Sequence, residues 1–321
     1  MSQPSTTTQN STTVRSPTAV RVARAALQAA YILSEDLGTS FAERLFTSPR
    51  RHDRPARERA ALATARRFTI PVTLRSPHAV GTRLDLAAWK WGIGPTVLLV
   101  HGWEGRGSQL HALVGPLVAA GLSVVTFDAP AHGDSPGSRL YLTDHADAVA
   151  DVAAAVGPLH AIVAHSFGCA AVTLAYARSG LDVPRNIMIA PNVLIDDAIA
   201  RFAQTVGLDD ADRSLLEASV VAHSGVQLSA LALPRLVGGR TADVLVIHDR
   251  EDREVAFTHG ERLAETWPGA RLLATEGLGH RRILRDPAVL RDVVRAAREG
   301  VPPPASDLVR EIDRLVDEME G

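Results

Sequence analysis

The chain of 321 residues has a single cysteine, Cys169, which excludes an intrachain disulfide framework and cannot by itself build a zinc–thiolate site. Of its 34 Lys and Arg residues only Lys90 is a lysine, which argues against a lysine Schiff base or a phosphate-loop lysine. There is no GxxxxGK[ST] run, and no GxGxxG lies between a strand and a helix. No stretch approaches the ~18 uninterrupted apolar residues of a membrane-spanning helix. The opening MSQPSTTTQNSTT has neither the basic start nor the apolar segment of a secretory signal. A formal net charge of −2 gives no global attraction to nucleic acid or acidic lipid. These absences predict a soluble, cytoplasmic protein with no nucleic-acid partner and no membrane span. They leave its oligomeric state open.

What is present is ordinary globular material, 46% hydrophobic and 22% charged. The Ser/Thr-rich residues 1–17 read as a disordered tail. Residues 18–67 read as a helical extension. Within it, Thr18 to about Phe46 forms one amphipathic helix with Val22, Ala26, Ala29, Ala30 and Ile32 near helical spacing. Seven arginines follow between Arg50 and Arg67, either as a solvated helix face offset by Asp53 and Glu58 or as a patch for a polyanion.

From Phe68 the pattern alternates. Strands are predicted at 68–74, 82–89, 96–100, 122–127, 161–164, 187–190, 244–247 and 271–275, the last six as short apolar runs of a sheet buried on both faces. Helices are predicted at 108–120, 141–156, 167–179, 257–266 and 287–298. The expected fold is therefore α/β, a mostly parallel twisted sheet of about eight strands with helices on both faces, spanning 68–300. Residues 191–241 lack a strand and read as a helical insertion, either a lid over a site or an extra packing layer. Val193, Leu194, Ile195, Phe202, Val206, Leu215 and Leu216 supply it with apolar side chains, for lining a pocket or for packing. After the linker VPPPAS, the segment 301–321 ends in an amphipathic helix carrying Leu308, Ile312, Leu315, Val316 and Met319.

The segment AIVAHSFGCAAVTLAYA drives a strand directly into Ser166 and then into a helix. A serine there projects from the carboxyl end of the strand, with the helix dipole and free N–H groups aimed at the same place. The flanking Ala164 and Gly168 are small, as a tight strand–turn–helix requires. The segment resembles the nucleophile turn of the α/β-hydrolase fold superfamily, with alanine where the first glycine is usual. That resemblance implies a triad in the order nucleophile, acid, histidine. Asp252, in VLVIHDREDREVAF and three before Val255, fits the acid, with Asp249 the alternative; His280, in RLLATEGLGHRRIL, fits the histidine. His101-Gly102-Trp103 after a strand is similar to the family's oxyanion loop, which implies the backbone N–H groups of Trp103 and Phe167 as oxyanion donors. The Trp103 indole then either walls the pocket or packs as core. FDAPAHGDSPG, with Asp128 at a strand end, resembles a structural turn of the family, with Ala131 where glycine is common.

These residue types suit acyl transfer. A serine hydroxyl becomes nucleophilic when an imidazole takes its proton, and a carboxylate fixes the imidazole tautomer. Serine at 166 argues against the branches that use an aspartate nucleophile. The resemblance thus implies a serine hydrolase acting on a small-molecule carboxylic ester or thioester of small or medium apolar acyl group. Trp103 and Phe202 are its substrate-binding candidates. An acyltransferase, a carbon–carbon bond hydrolase and a non-catalytic binding module are the alternatives. No cofactor is implied. His111, His132 and His145 with Asp128 or Asp134 lack recognisable metal-ligand spacing, so no metal is expected. His165 and His101 are expected to order the two loops, and Cys169 to pack as a small hydrophobe.

Overall fold

The computed structural model describes residues 17–227 and 242–301. The expected tail at 1–17, except Pro17, the end of the insertion at 228–241 and the terminal helix within 302–321 lie outside the described residues. Eight strands form one sheet: β1 (Arg66–Thr73), β2 (Arg83–Trp91), β3 (Thr96–Val100), β4 (Ser123–Phe127), β5 (Leu159–His165), β6 (Arg185–Ile189), β7 (Asp243–Asp249) and β8 (Ala270–Thr275). Their spatial order is β1-β2-β4-β3-β5-β6-β7-β8; β2 runs against both neighbours and every other pair is parallel.

The helices are α1 (Pro17–Leu33), α2 (Glu35–Thr47), α3 (Ala56–Ala63), α4 (His111–Ala119), α5 (Leu142–Val156), α6 (Phe167–Ser179), α7 (Ile195–Val206), α8 (Asp210–Ser224), α9 (Thr258–Thr266), the one-turn α10 (Gly279–Arg282) and α11 (Pro287–Arg298). Alternate residues of the central strands feed two cores. Leu98, Val100, Ile162 and Val246 meet α5, α6 and α9 on one face. Val97, Leu99, Val163 and Ile247 meet α4 and α11 on the other. This two-sided burial is why the strands read as continuous apolar runs.

The N-terminal extension departs from the expected single helix. Ser34 is extended (φ −169°), and its Oγ accepts the Leu37 N–H to begin α2, with Glu35 and Asp36 in the favourable first turn. The expected face is also rotated: Leu27 and Ala30 are buried, whereas Val22 and Ile32 are exposed. An alanine-rich helix has few bulky side chains to select its face, and Leu27 decides it. Together with Ala42 of α2, Leu27 packs against Ile199 and Val206 of α7 and Leu216 and Val220 of α8, making a third apolar cluster outside the sheet.

The seven arginines likewise do not form a helix face. Only Arg57 and Arg59 lie on α3, while Arg66 and Arg67 start β1. Arg54 forms salt bridges to the buried Asp128 (2.7 Å) and to Asp134 (2.6 Å). Arg51 donates to the carbonyls of Gly133, Ser135 and Gly137. Arg50 forks onto Glu104. Loop carbonyls and carboxylates thus absorb the charge that the sequence leaves unassigned.

Candidate active site

The sheet order reverses around β3, and in such sheets the carboxyl ends of the strands beside the reversal form a crevice. β3 and β5 are paired there, with Val100 opposite Ala164, so the residues that follow them emerge side by side. Ser166 follows β5 with φ 56° and ψ −122°, a left-handed conformation that costs about 1–3 kcal/mol for a non-glycine residue. The turn is stitched in place: the Ser166 N–H donates to Ile189 O (3.0 Å), and its carbonyl accepts from Cys169 N (3.0 Å) and Asn192 N (3.2 Å). Gly168 is required by close approach, since a Cβ there would lie 2.6 Å from His101 O and 2.8 Å from Val100 O. Gly102 in turn lies against the serine; a Cβ on it would come within 2.8 Å of Ser166 Cβ and 3.3 Å of its Oγ.

The loop after β3 is ordered by two neutral histidines. His101 Nδ1–H donates to Gly102 O (2.8 Å) and its Nε2 accepts from Ala129 N (2.9 Å). His132 Nδ1–H donates to Pro130 O (2.9 Å) and its Nε2 accepts from Glu104 N (3.0 Å). A carbonyl can only accept and an amide N–H can only donate, so both tautomers follow from the geometry. Burial pushes both imidazoles down, His132 to about 4, and keeps them uncharged. Asp128 anchors the same region: its carboxylate accepts from Gly107 N and Asp134 N, while Ser135 Oγ donates to its carbonyl and accepts from Ala87 N. Among the described groups, the N–H of Trp103 and that of Phe167 have no acceptor. Their rings meet edge to face at 5.8 Å.

β7 and β8 deliver the other two side chains. Asp252 Oδ1 accepts from Glu254 N (2.8 Å) and Val255 N (2.9 Å), which explains the acid–x–x–apolar spacing. Its Oδ2 lies 2.7 Å from His280 Nδ1 and 3.4 Å from His248 Nε2. Burial opposes ionisation of Asp252, but the bonds from His248 and His280 outweigh it and hold the carboxyl well below its ordinary value. An ionised Asp252 keeps the proton of His280 on Nδ1 and leaves Nε2 as a base. His165 Nε2–H donates to His280 O (3.0 Å), and the two rings are 4.7 Å apart, so the residue before Ser166 holds the histidine's backbone. Burial, with His280 adjacent, lowers His165 to about 3. Among the described contacts no hydrogen bond closes between Ser166 Oγ and His280; such contacts commonly tighten when substrate is bound.

Of the two candidate acids, Asp252 meets His280. Asp249 instead holds the histidine loop, accepting from Thr275 Oγ1 (2.8 Å), Leu278 N (3.0 Å) and Glu251 N (3.0 Å). Phe202, half-buried on α7, lies edge-on to Phe46 at 5.2 Å. Val193 and Ile195 join the sheet core, and Ile199, Val206 and Leu216 join the cluster with α1 and α2. His111 binds Ser108 O, and His145 is buried among His101, Phe127 and Phe167. Among the described residues no group of three or more His, Cys, Asp or Glu side chains is placed to hold a metal ion. Burial pushes the Cys169 thiol far up, as suits a packed hydrophobe. Sequence reasoning missed His248, the second partner of Asp252; its signal is a histidine inside the otherwise apolar strand VLVIHD. It also missed the bond from His165 to the backbone of His280, for which no sequence signal exists.

Residues 97–293 match the model of the alpha/beta hydrolase family. A monoacylglycerol lipase from Mycolicibacterium smegmatis is 25% identical over 233 residues, covering 59% of this chain and 83% of that protein. Est1E from Butyrivibrio proteoclasticus, in a structure with ferulic acid bound, superposes with a TM-score of 0.55 at 19% identity, over 67% of this chain and 94% of that one. The esterase EaEST from Exiguobacterium antarcticum gives 0.53 at 16% identity, over 72% and 100%. These two structures share the fold. Among the described residues no helix is long and apolar enough to cross a membrane.

Proposed function

The chain belongs to the alpha/beta hydrolase family, and on that premise we propose that it is a serine hydrolase cleaving a carboxylic ester of small or medium apolar acyl group through an acyl-enzyme. Ser166 Oγ attacks the acyl carbon while His280 Nε2 takes its proton, and the same imidazolium then protonates the leaving alkoxide. Asp252 fixes the tautomer and stabilises the imidazolium. The N–H groups of Trp103 and Phe167 receive the oxyanion, each worth about 2.7–4 kcal/mol in the transition state. Water, deprotonated by His280, then releases the acid. In this reading Trp103 walls the acyl pocket and α7 and α8 act as a cap, while Phe202, packed on Phe46, supports α7 from behind. The monoacylglycerol lipase relative supports an ester of an acyl group with a small alcohol as the substrate class.

One observation carries the reading: a buried 2.7 Å Asp252–His280 pair stands at the same sheet edge as a serine held at positive φ beside two unengaged N–H groups. The test is a chain-length series of chromogenic esters and thioesters, run with fluorophosphonate labelling. Turnover and labelling that both vanish in Ser166→Ala are expected. Ester turnover that survives that substitution would overturn the proposal.

A further inference from the structure

The N-terminal extension reaches the oxyanion loop directly. Glu104, the residue after Trp103, is itself held at positive φ (52°), so the loop needs external restraint to keep its shape. Its backbone N–H is held by His132 Nε2 (3.0 Å). Its carboxylate is held from the segment joining α2 to α3: Arg50 Nε lies 2.9 Å from Oε1, Arg50 Nη2 2.8 Å from Oε2, and the Arg50 N–H 3.3 Å from Oε1. His52 Nε2 stands 3.7 Å from Oε2. The Glu104 side chain is 18% exposed, so water does not substitute freely for this fork. Burial opposes its ionisation, yet the Arg50 bonds hold its carboxyl below the ordinary value. Arg51 and Arg54 of the same segment grip the 128–137 turn, which positions His132, so the segment controls both holders of Glu104.

We propose that Arg50 is a positioning residue for the oxyanion hole: by forking onto Glu104 it sets the direction of the adjacent Trp103 N–H, making the N-terminal extension part of the hydrolytic machinery. This rests on the serine-hydrolase reading. Loss of the fork frees the carboxylate to turn toward water and lets Glu104 relax from positive φ, which turns the Trp103–Glu104 peptide and, through the Trp103 Cα, the Gly102–Trp103 peptide that carries the donor. The N–H then points away from the oxyanion, while the ground-state ester, which makes little use of that donor, binds as before.

The experiment compares wild type, Arg50→Ala, Arg50→Lys and Glu104→Gln in kcat and KM for a p-nitrophenyl ester. It also measures their affinity for a trifluoromethyl ketone. The ketone tests the hole because Ser166 Oγ adds to its carbonyl carbon, His280 keeps the serine proton, and the carbonyl oxygen becomes the bound alkoxide. In Arg50→Ala, kcat is expected to fall about 10²-fold, the scale of a ~1 Å misplacement, with KM within about twofold. Ketone affinity should fall by a similar factor, and Arg50→Lys should recover part of both. Folded Arg50→Ala with kcat and ketone affinity close to wild type overturns the proposal, as does a loss confined to KM. Should Arg50→Ala fail to fold, Glu104→Gln, which keeps the side chain's shape, reads the same two quantities. Turnover independent of Ser166 would instead count against the hydrolase reading itself.

Discussion

Asp252→Asn separates the electrostatic role of the acid from its place in the fold. The carboxylate faces two ways: Oδ1 toward the N–H groups of Glu254 and Val255, and Oδ2 toward His280 Nδ1 at 2.7 Å. An asparagine that keeps its carbonyl on the first pair must turn its NH₂ toward His280. Nδ1 then has to accept, the imidazole proton moves to Nε2, and the atom needed to deprotonate Ser166 is blocked. The loop's backbone bonds are retained while the His248 contact at 3.4 Å is lost, so Tm should fall only modestly. The wrong tautomer in such a triad costs roughly 10⁴ in kcat, equivalent to about 5.5 kcal/mol of transition-state stabilisation. Steady-state turnover of a chromogenic ester, read beside a thermal melt, measures both quantities. Asp249→Asn is the matched control: it loosens the acceptors of Thr275 and Leu278 without touching the tautomer, so it should lower Tm and reduce kcat by no more than about tenfold. Asp252→Asn turnover within tenfold of wild type, with Asp249→Asn the worse enzyme, would refute the assignment.

Ser166→Gly should abolish turnover, by about 10⁶, yet raise Tm by roughly 2–4 °C, because glycine relieves the φ of 56°; a melt no higher than wild type would contradict the strain. The buried, neutral His132 and His145, pushed to about 4 and about 3, make the fold acid-sensitive. Since the unfolded chain binds protons first, below about 6.5, stability falls as pH drops from there toward 4, by about 2 kcal/mol at pH 5 from His132 alone. Denaturant melts from pH 8 to 4.5 should show this slope, reduced in His132→Asn. Arg54→Met strands the buried Asp128 without its 2.7 Å partner and should cost about 3–5 kcal/mol, seen as a lower urea midpoint. An unchanged midpoint would mean that Asp128 is sustained by its backbone donors alone.

Much of the molecule is legible where local chemistry and tertiary context agree. Thr96–Val100 and Phe167–Ser179 form at the predicted boundaries, because an apolar run between turn residues and a helix launched from a tight turn each have one low-energy solution. The sequence offers two aspartates for the acid, and three dimensions separate them: Asp249 ends β7 and Asp252 follows in the loop, but only the Asp252 carboxylate meets the imidazole of His280, while Asp249 meets Thr275 and backbone N–H groups. The arginines near residue 50 resisted reading, since their partners lie fifty or more residues away on other loops. Ala131 illustrates a different limit. It sits at φ 64°, in the region that favours glycine, and the surrounding bonds impose a shape that the residue itself disfavours.

The pairing of α1 and α2 with α7 and α8 has a consequence for redesign. Leu27 and Ala42 bury the same surface that Ile199, Val206, Leu216 and Val220 present. Grafting a foreign segment in place of the insertion would orphan the first two helices and bare their greasy side. Segments remote in sequence must therefore be exchanged as one cassette, and trimming the amino terminus back to the first strand would be an indirect edit of α7 and α8.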